Sequence, residues 1–225
     1  MRLINRHPDR SGRLLLILLP FALLLFAYFT GSAQRLTDNP NDKLLPSASQ
    51  MMAAVDRLAF SEDKRSGHYL FWQDSAASLS RLGLGIGIAA IAGLCLGIAA
   101  GIIPLFGAPL SPLLTVLSMV PPLAILPILF IVFGLGELSK VMLIVIGITP
   151  CIARDLEQRA QEIPQEILIK AQTLGASTWT LILRVVLPQL LPRLLISLRL
   201  MLGSAWLFLI AAEAIASTDG LGYRI

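Results

Sequence analysis

Charge is what this sequence has least of. Asp, Glu, Lys and Arg make up 14% of its 225 residues, against about 25% in an ordinary soluble domain. Cysteine is scarce too. Cys95 and Cys151 each sit inside an apolar run, with no CxxC partner and no nearby histidine, so they read as plain membrane-buried thiols rather than a metal site. His7 and His68 lie in polar stretches without ligand spacing. No Gly-x-x-x-x-Gly-Lys-Ser/Thr run occurs, so the usual phosphate-cradling loop is missing. Basic and aromatic residues do not interleave into a stripe, which argues against nucleic acid as a partner. No nucleophile or paired acids stand out in the apolar runs. The chain therefore reads as a non-enzyme, with no cofactor expected.

What is present is apolar length. Hydrophobic residues make up 56% of the chain and mean hydropathy is +0.76. The excess is gathered into long uncharged runs, the pattern of a chain solvated by lipid. The expected fold is all-α, a polytopic membrane helix bundle with about five transmembrane helices. Net charge is +4 and the sequence pI is about 9.4, with the basic residues at segment ends.

Arg2, Arg6, Arg10 and Arg13 precede an uncharged run over 14–30. A basic flank of this kind stays in the cytoplasm. Gly31-Ser32-Ala33 resembles a signal-peptidase site, but the run is longer than the usual signal core and near spanning length. It is read as an uncleaved first helix, the signal peptide remaining the competing reading. A polar, external stretch then lasts to about Trp72, with turn formers at Asn39-Pro40. Within it Ser47 to Phe60 reads as a short amphipathic helix, with Met51, Val55, Leu58 and Ala59 on one side.

The second span, 79–103, carries Gly85, Ala89, Gly93, Gly97 and Gly101 at four-residue spacing. Such a strip lets two helix backbones approach closely in lipid, where apolar burial gives little drive. The third span, 108–133, is interrupted by Pro109, Pro112, Pro121, Pro122 and Pro127. Broken backbone at membrane depth survives only where protein or a water-filled cavity satisfies it. Two readings follow for Pro121 and Pro122: they border a solute path, or they only kink the helix for packing. After a turn at Gly134-Leu135-Gly136-Glu137, a fourth span covers 138–153 and a fifth 191–212. Arg199 lies inside the fifth and Glu213 near its outer end. Ionisable groups in a bilayer usually face a bundle interior or a cavity. Arg199 therefore reads either as part of an anion path or as one half of a structural pair, and Glu213 as intramembrane or interfacial. The two are too far apart along one helix to pair with each other.

Between the last two spans lies a polar, cytoplasmic stretch over 154–184. Pro164 suits the first turn of a helix. Ile167, Leu168, Ala171 and Leu174 recur at helical spacing, Gly175 sits where a left-handed cap belongs, and Ser177 can cap the next helix. An amphipathic helix on the water side of a membrane lies on lipid or docks into a partner's groove. This one is short and weakly basic, which favours docking.

These residues resemble the permease subunits of ABC importers of the nitrate/sulfonate/taurine type. The family's loop reads Glu-Ala-Ala, three residues, Gly, nine residues, Ile, one residue, Leu-Pro. With its glycine at Gly175, Val185 takes the Ile position and Leu187-Pro188 the Leu-Pro, while Ala171 matches the second alanine. Ile169 and Lys170 depart from the first two positions, and Glu166 lies one turn before. PPLAILPILFIVFGLGELSK before the loop and LRLMLGSAWLFLIAAEAIASTDGLGYRI after it extend the likeness over 77–225. The resemblance implies two domains: 1–76, holding the cytoplasmic tail, first helix and external loop, and 77–225, the permease domain. It implies a solute pathway formed with a second permease subunit, as a homodimer, in the cell inner membrane. Its other partners are ABC ATPase subunits docked on the 164–175 helix and an extracytoplasmic solute-binding protein, with nitrate, sulfonate or taurine as representative solutes. A channel or ion-coupled carrier is the alternative. Relatives continue past the GLGY segment into one more span, so the resemblance leaves this chain without the family's final helix.

Overall fold

The computed structural model describes residues 9–39, 44–63 and 67–224. The expectations resting on Arg2, Arg6, His7, Pro40 and Ile225 lie outside them. The described residues are helical throughout, with turns between helices and no strand. The chain forms two compact units, Met1–Leu70 and Phe71–Ile225.

The first unit is built on α1, Arg10–Asp38. It is longer at both ends than the run 14–30, because polar residues on either side continue the helix. Its apolar side chains, from Leu14 to Phe29, all stand exposed. Only lipid or another protein surface can solvate such a rod. Helix α2, Ala48–Val55, starts at a capping box: Ser47 accepts from the Gln50 backbone N–H, and the Gln50 side chain accepts from that of Ser47. A π-helical turn, Asp56–Phe60, extends it over the predicted range.

The second unit packs around α6, Glu137–Gln161. Leu143, Ile144, Ile148, Ile152 and Leu156 recur along it at helical spacing and are buried. Beside it lies α3, Leu70–Ile102, with the small-residue strip turned inward. A β-carbon on Gly85 would fall 2.8 Å from Ile144, on Gly93 2.7 Å from Ile152, on Gly97 2.7 Å from Leu156, and on Gly101 2.6 Å from Ala160. The partner always lies fifty-nine positions downstream, so α3 and α6 run parallel in fixed register. By contrast α9, Leu187–Ile215, runs antiparallel to α6: Ser197 donates to Asp155, Phe208 packs on Gly147, and Lys140 donates to Ser217.

Parallel neighbours require a return between them, supplied by α4, Pro104–Met119, and α5, Leu126–Phe133, joined by a 3-10 turn at Pro122–Ile125. These pieces are bent by 85°. The expected third span is thus two helices, and the break falls at one place. Pro109 and Pro112 sit inside α4 without ending it, since a lone proline removes one hydrogen bond. Val120 and Pro121 both precede prolines and are both extended, with ψ of 124° and 116°. Two successive residues excluded from the helical region end the helix. Pro127 stands in the first turn of α5, where proline is tolerated.

Among the described residues, three helical stretches are long and apolar enough to cross a membrane, Arg10–Thr37, Leu70–Ile102 and Thr178–Ile215, and the bent pair is a fourth candidate. Helix α6 carries charge at both ends and is enclosed by neighbours, so it needs little lipid-facing surface. The expected polar loop over 154–184 also begins later than its charges suggest. Leu156 and Ala160 continue the buried stripe of α6 against Gly97 and Gly101, and the helix persists to Gln161.

Candidate functional site

Two polar regions lie at opposite ends of α6. After Gln161 the chain turns at Ile163 and Pro164 into α7, Gln165–Thr173, with Pro164 one residue before the first helical position rather than within it. Gly175 adopts φ +84°, the left-handed conformation that favours glycine. Its N–H donates to the Gln172 carbonyl at 2.9 Å, and that of Ala176 to the Ala171 carbonyl at 3.0 Å. This pair of bonds is the Schellman closure of a helix end. Ser177 then accepts from the Thr180 N–H and opens α8, Thr178–Leu181.

The sequence-predicted residues divide between two faces of this motif. Leu168 and Ala171 pack on a cluster of Ile98, Ala160, Ile163, Leu181, Ile182 and Val186, and Leu187 joins it. Glu166, Ile167, Ile169, Lys170 and Leu174 stand exposed, with Leu174 87% exposed. Pro188 lacks the N–H that would bond the Arg184 carbonyl, and the turn before it, Ile182–Val186, widens to a π-helix. This joint connects α8 to α9 without a break.

The opposite end holds a buried ionic network that no sequence motif announces. Arg81 on α3 is 4% exposed and uses all five of its N–H donors. They reach Glu137 at the start of α6, Glu213 near the end of α9 (2.7 Å), and both the backbone and carboxylate of Asp219 (3.2 and 2.5 Å). Lys140 adds bonds of 3.0 Å to Glu137 and 2.9 Å to Ser217. Glu213 is fully buried and also accepts from Ser78 and from the Gly222 N–H, each at 2.9 Å. Asp74 accepts from Arg224 at 2.5 Å and from the Gly220 N–H at 2.9 Å.

The two glycines of the terminal GLGY make this closeness feasible. Gly220 has φ +110°, and a β-carbon there would lie 2.5 Å from the Glu213 carboxyl carbon; one on Gly222 would lie 2.5 Å from the Ile210 carbonyl. The last turn of the chain is thereby strapped across the ends of α3 and α9.

Arg81 holds the Glu137 carboxyl below its usual 4.5, against the opposing effect of burial and with help from Lys140. The Asp219 carboxyl is likewise lowered from 3.8, again chiefly by the Arg81 hydrogen bond. A carboxylate whose folded value is depressed contributes stability that is present above its unfolded value and lost as pH falls through the folded one. Thermal melting in detergent should therefore be level from pH 7 to 5 and decline below about pH 4. Glu137→Gln should flatten part of that decline; an unaltered acid limb would show that the pair adds nothing.

The remaining predicted residues do not assemble with Glu213. Arg199 is exposed on α9 beside exposed Leu195 and Leu200, and no hydrogen bond or ion pair is found for it among the described residues. Pro122 lines a groove of about 360 Å³ with Leu96, Leu117, Ile125, Val145 and Thr149. That lining is apolar except for Thr149, whose hydroxyl is the one buried side-chain polar atom among the described residues with no hydrogen-bond partner.

The second unit is thus a bundle of apolar helices around a charged-ended central helix, with a capped helix projecting at one end. Residues 93–225 match the family model described as binding-protein-dependent transport system inner membrane component, and the chain belongs to that family. Its curated relatives include the taurine transport system permease protein of Escherichia coli, 41% identical over 154 residues, covering 68% of this chain and 56% of the relative. The nitrate import permease protein of Leptolyngbya laminosa is 37% identical over 156 residues, with 69% and 56% covered. The chain thus spans about half the length of these relatives. In fold it is similar to a chain of the MetNI methionine ABC transporter in an inward-facing crystal form, with a TM-score of 0.60 at 20% identity, covering 72% of this chain and 81% of that one. The family is one of transport components rather than enzymes.

Proposed function

We propose that this chain is the solute-pathway subunit of an ATP-driven importer, coupled to a cytoplasmic ATPase through α7. The observation that carries this reading is the two-faced α7. One face is fixed to the bundle by Leu168 and Ala171, which pack on the same cluster as Leu187 of α9, and the other presents Glu166, Ile167, Ile169 and Lys170, with the C-cap Leu174, to a partner. Gly175 and the π-turn before Pro188 set the angle at which that face projects. The residues we assign to coupling are Glu166, Lys170, Ala171, Gly175, Leu187 and Pro188, in the segment that runs from the end of α6 to the start of α9, within a permease domain over 77–225.

In this reading the N-terminus and α7 lie in the cytoplasm, and the Arg81 network closes the external end. Two copies of the chain enclose the pathway, and a solute-binding protein delivers a small anion or organic compound of the nitrate, sulfonate or taurine kind. Pro121 and Pro122 shape its wall. Arg199 lies on an exposed face, where a lipid-facing arginine at mid-helix costs about 2.5–3.5 kcal/mol, so that face suits a second subunit or a water-filled path. Glu213 holds the external end together. Gly175→Pro removes the N–H that closes α7 and forbids the +84° backbone. The variant is expected to insert normally but to lose co-purification with its ATPase. Full retention of the ATPase would sink the docking assignment.

A further inference from the structure

We infer that the α2 segment, Ala48–Phe60, is an interfacial anchor whose partner is the phospholipid surface at the far end of α1, an inference that rests on α1 crossing the bilayer. The first observation is height. Ser32 of α1 donates to the Leu45 carbonyl at 3.0 Å, and Tyr28 to the Pro46 carbonyl at 2.7 Å. Ser32 stands about 28 Å beyond Arg13 along the helix axis, and the hydrocarbon core of a bilayer is about 30 Å thick. Leu45 and Pro46 are therefore pinned level with the boundary between acyl chains and headgroups. Ser47 caps α2 immediately afterwards, so α2 starts at that boundary instead of out in water. Tyr28, with an apolar ring and a bonded hydroxyl, is of the type enriched there.

The second observation is the pattern of α2. At 100° per residue, Ala48, Met51, Met52 and Val55 of α2 share one face and Ser49, Gln50 and Ala53 occupy the other, with Arg57 following in the π-turn. Met52 is 72% exposed and Phe60 69%. The Met51 sulfur lies 3.7 Å from the Tyr28 hydroxyl, so the apolar face begins against α1 and runs outward from it. It is continuous with the wholly exposed apolar surface of α1, and one medium solvates both. A helix with this division of faces settles about 5–10 Å into the boundary.

The test uses full-length protein in vesicles of phosphatidylethanolamine and phosphatidylglycerol, with Cys95→Ala and Cys151→Ala as background. Nitroxide labels are placed singly through Met52→Cys, Val55→Cys, Ala53→Cys and Arg57→Cys, with Leu23→Cys marking the interior of α1. Collision with lipid-soluble oxygen relative to a water-soluble nickel chelate is expected to be several-fold higher at Met52 and Val55 than at Ala53 and Arg57, and highest at Leu23. Equal nickel access on both faces of α2, with Leu23 still in lipid, would overturn the inference while leaving α1 as a span. Shielding of Met52 and Val55 from both reagents would overturn it in favour of a protein surface. Nickel access at Leu23 would remove α1 from the bilayer and the inference with it.

Discussion

Arg81→Met is expected to destabilise the protein by about 3–5 kcal/mol, the usual cost of removing one partner from a buried ion pair. The loss is large because of what stays behind. Glu213 is fully buried and would keep only Ser78 and the Gly222 N–H, while Asp219 and Glu137 would lose their common cation. Thermal unfolding in detergent micelles measures it directly. Adding Glu213→Leu to Arg81→Met should recover part of the loss, since an apolar pair is tolerated where a lone charge is not. A single variant that melts with the parent protein would show that the network is incidental to stability.

The second large effect is expected at the contact of α3 and α6. Gly97→Leu places its first side-chain carbon 2.7 Å from Leu156 and 2.9 Å from the Ala153 carbonyl, part of the α6 backbone. Backbone cannot step aside as a flexible side-chain tip can, so the cost should reach or exceed the 1–3 kcal/mol typical of overpacked cores. Gly87, nearly three turns earlier on the exposed side, has nothing within 4 Å of a β-carbon. Gly87→Ala should therefore melt at or slightly above the parent temperature, helped by helix propensity. If Gly97→Leu and Gly87→Ala melted alike, the strip would not be a packing face.

The strip was legible because it is written at four-residue spacing within one helix. Gly175 and Ser177 were legible for the same reason, since caps are local chemistry. The five prolines flagged an interruption but not its position, which depended on consecutive pre-proline residues rather than on their number. Least visible was Arg81. It falls within the expected second span, 79–103, and its partners Glu213 and Asp219 lie 132 and 138 positions away. Glu213 stands out in the sequence as a charge in an apolar helix, but nothing nearby in sequence names its cation. A signal was present in the glycines of GLGY, which show that some backbone must pass very close to another group.

The constant offset between α3 and α6 has a mechanical consequence. Each glycine notch receives one ridge of α6, and successive notches stand about 6 Å apart along the axis. Sliding by less than a full notch would drive Ile152 or Leu156 into the α3 backbone, so the two helices resist shear and travel as one rod. That rod begins four residues from α7 and ends in the salt bridges of Arg81, so a push on either tip is delivered at the other.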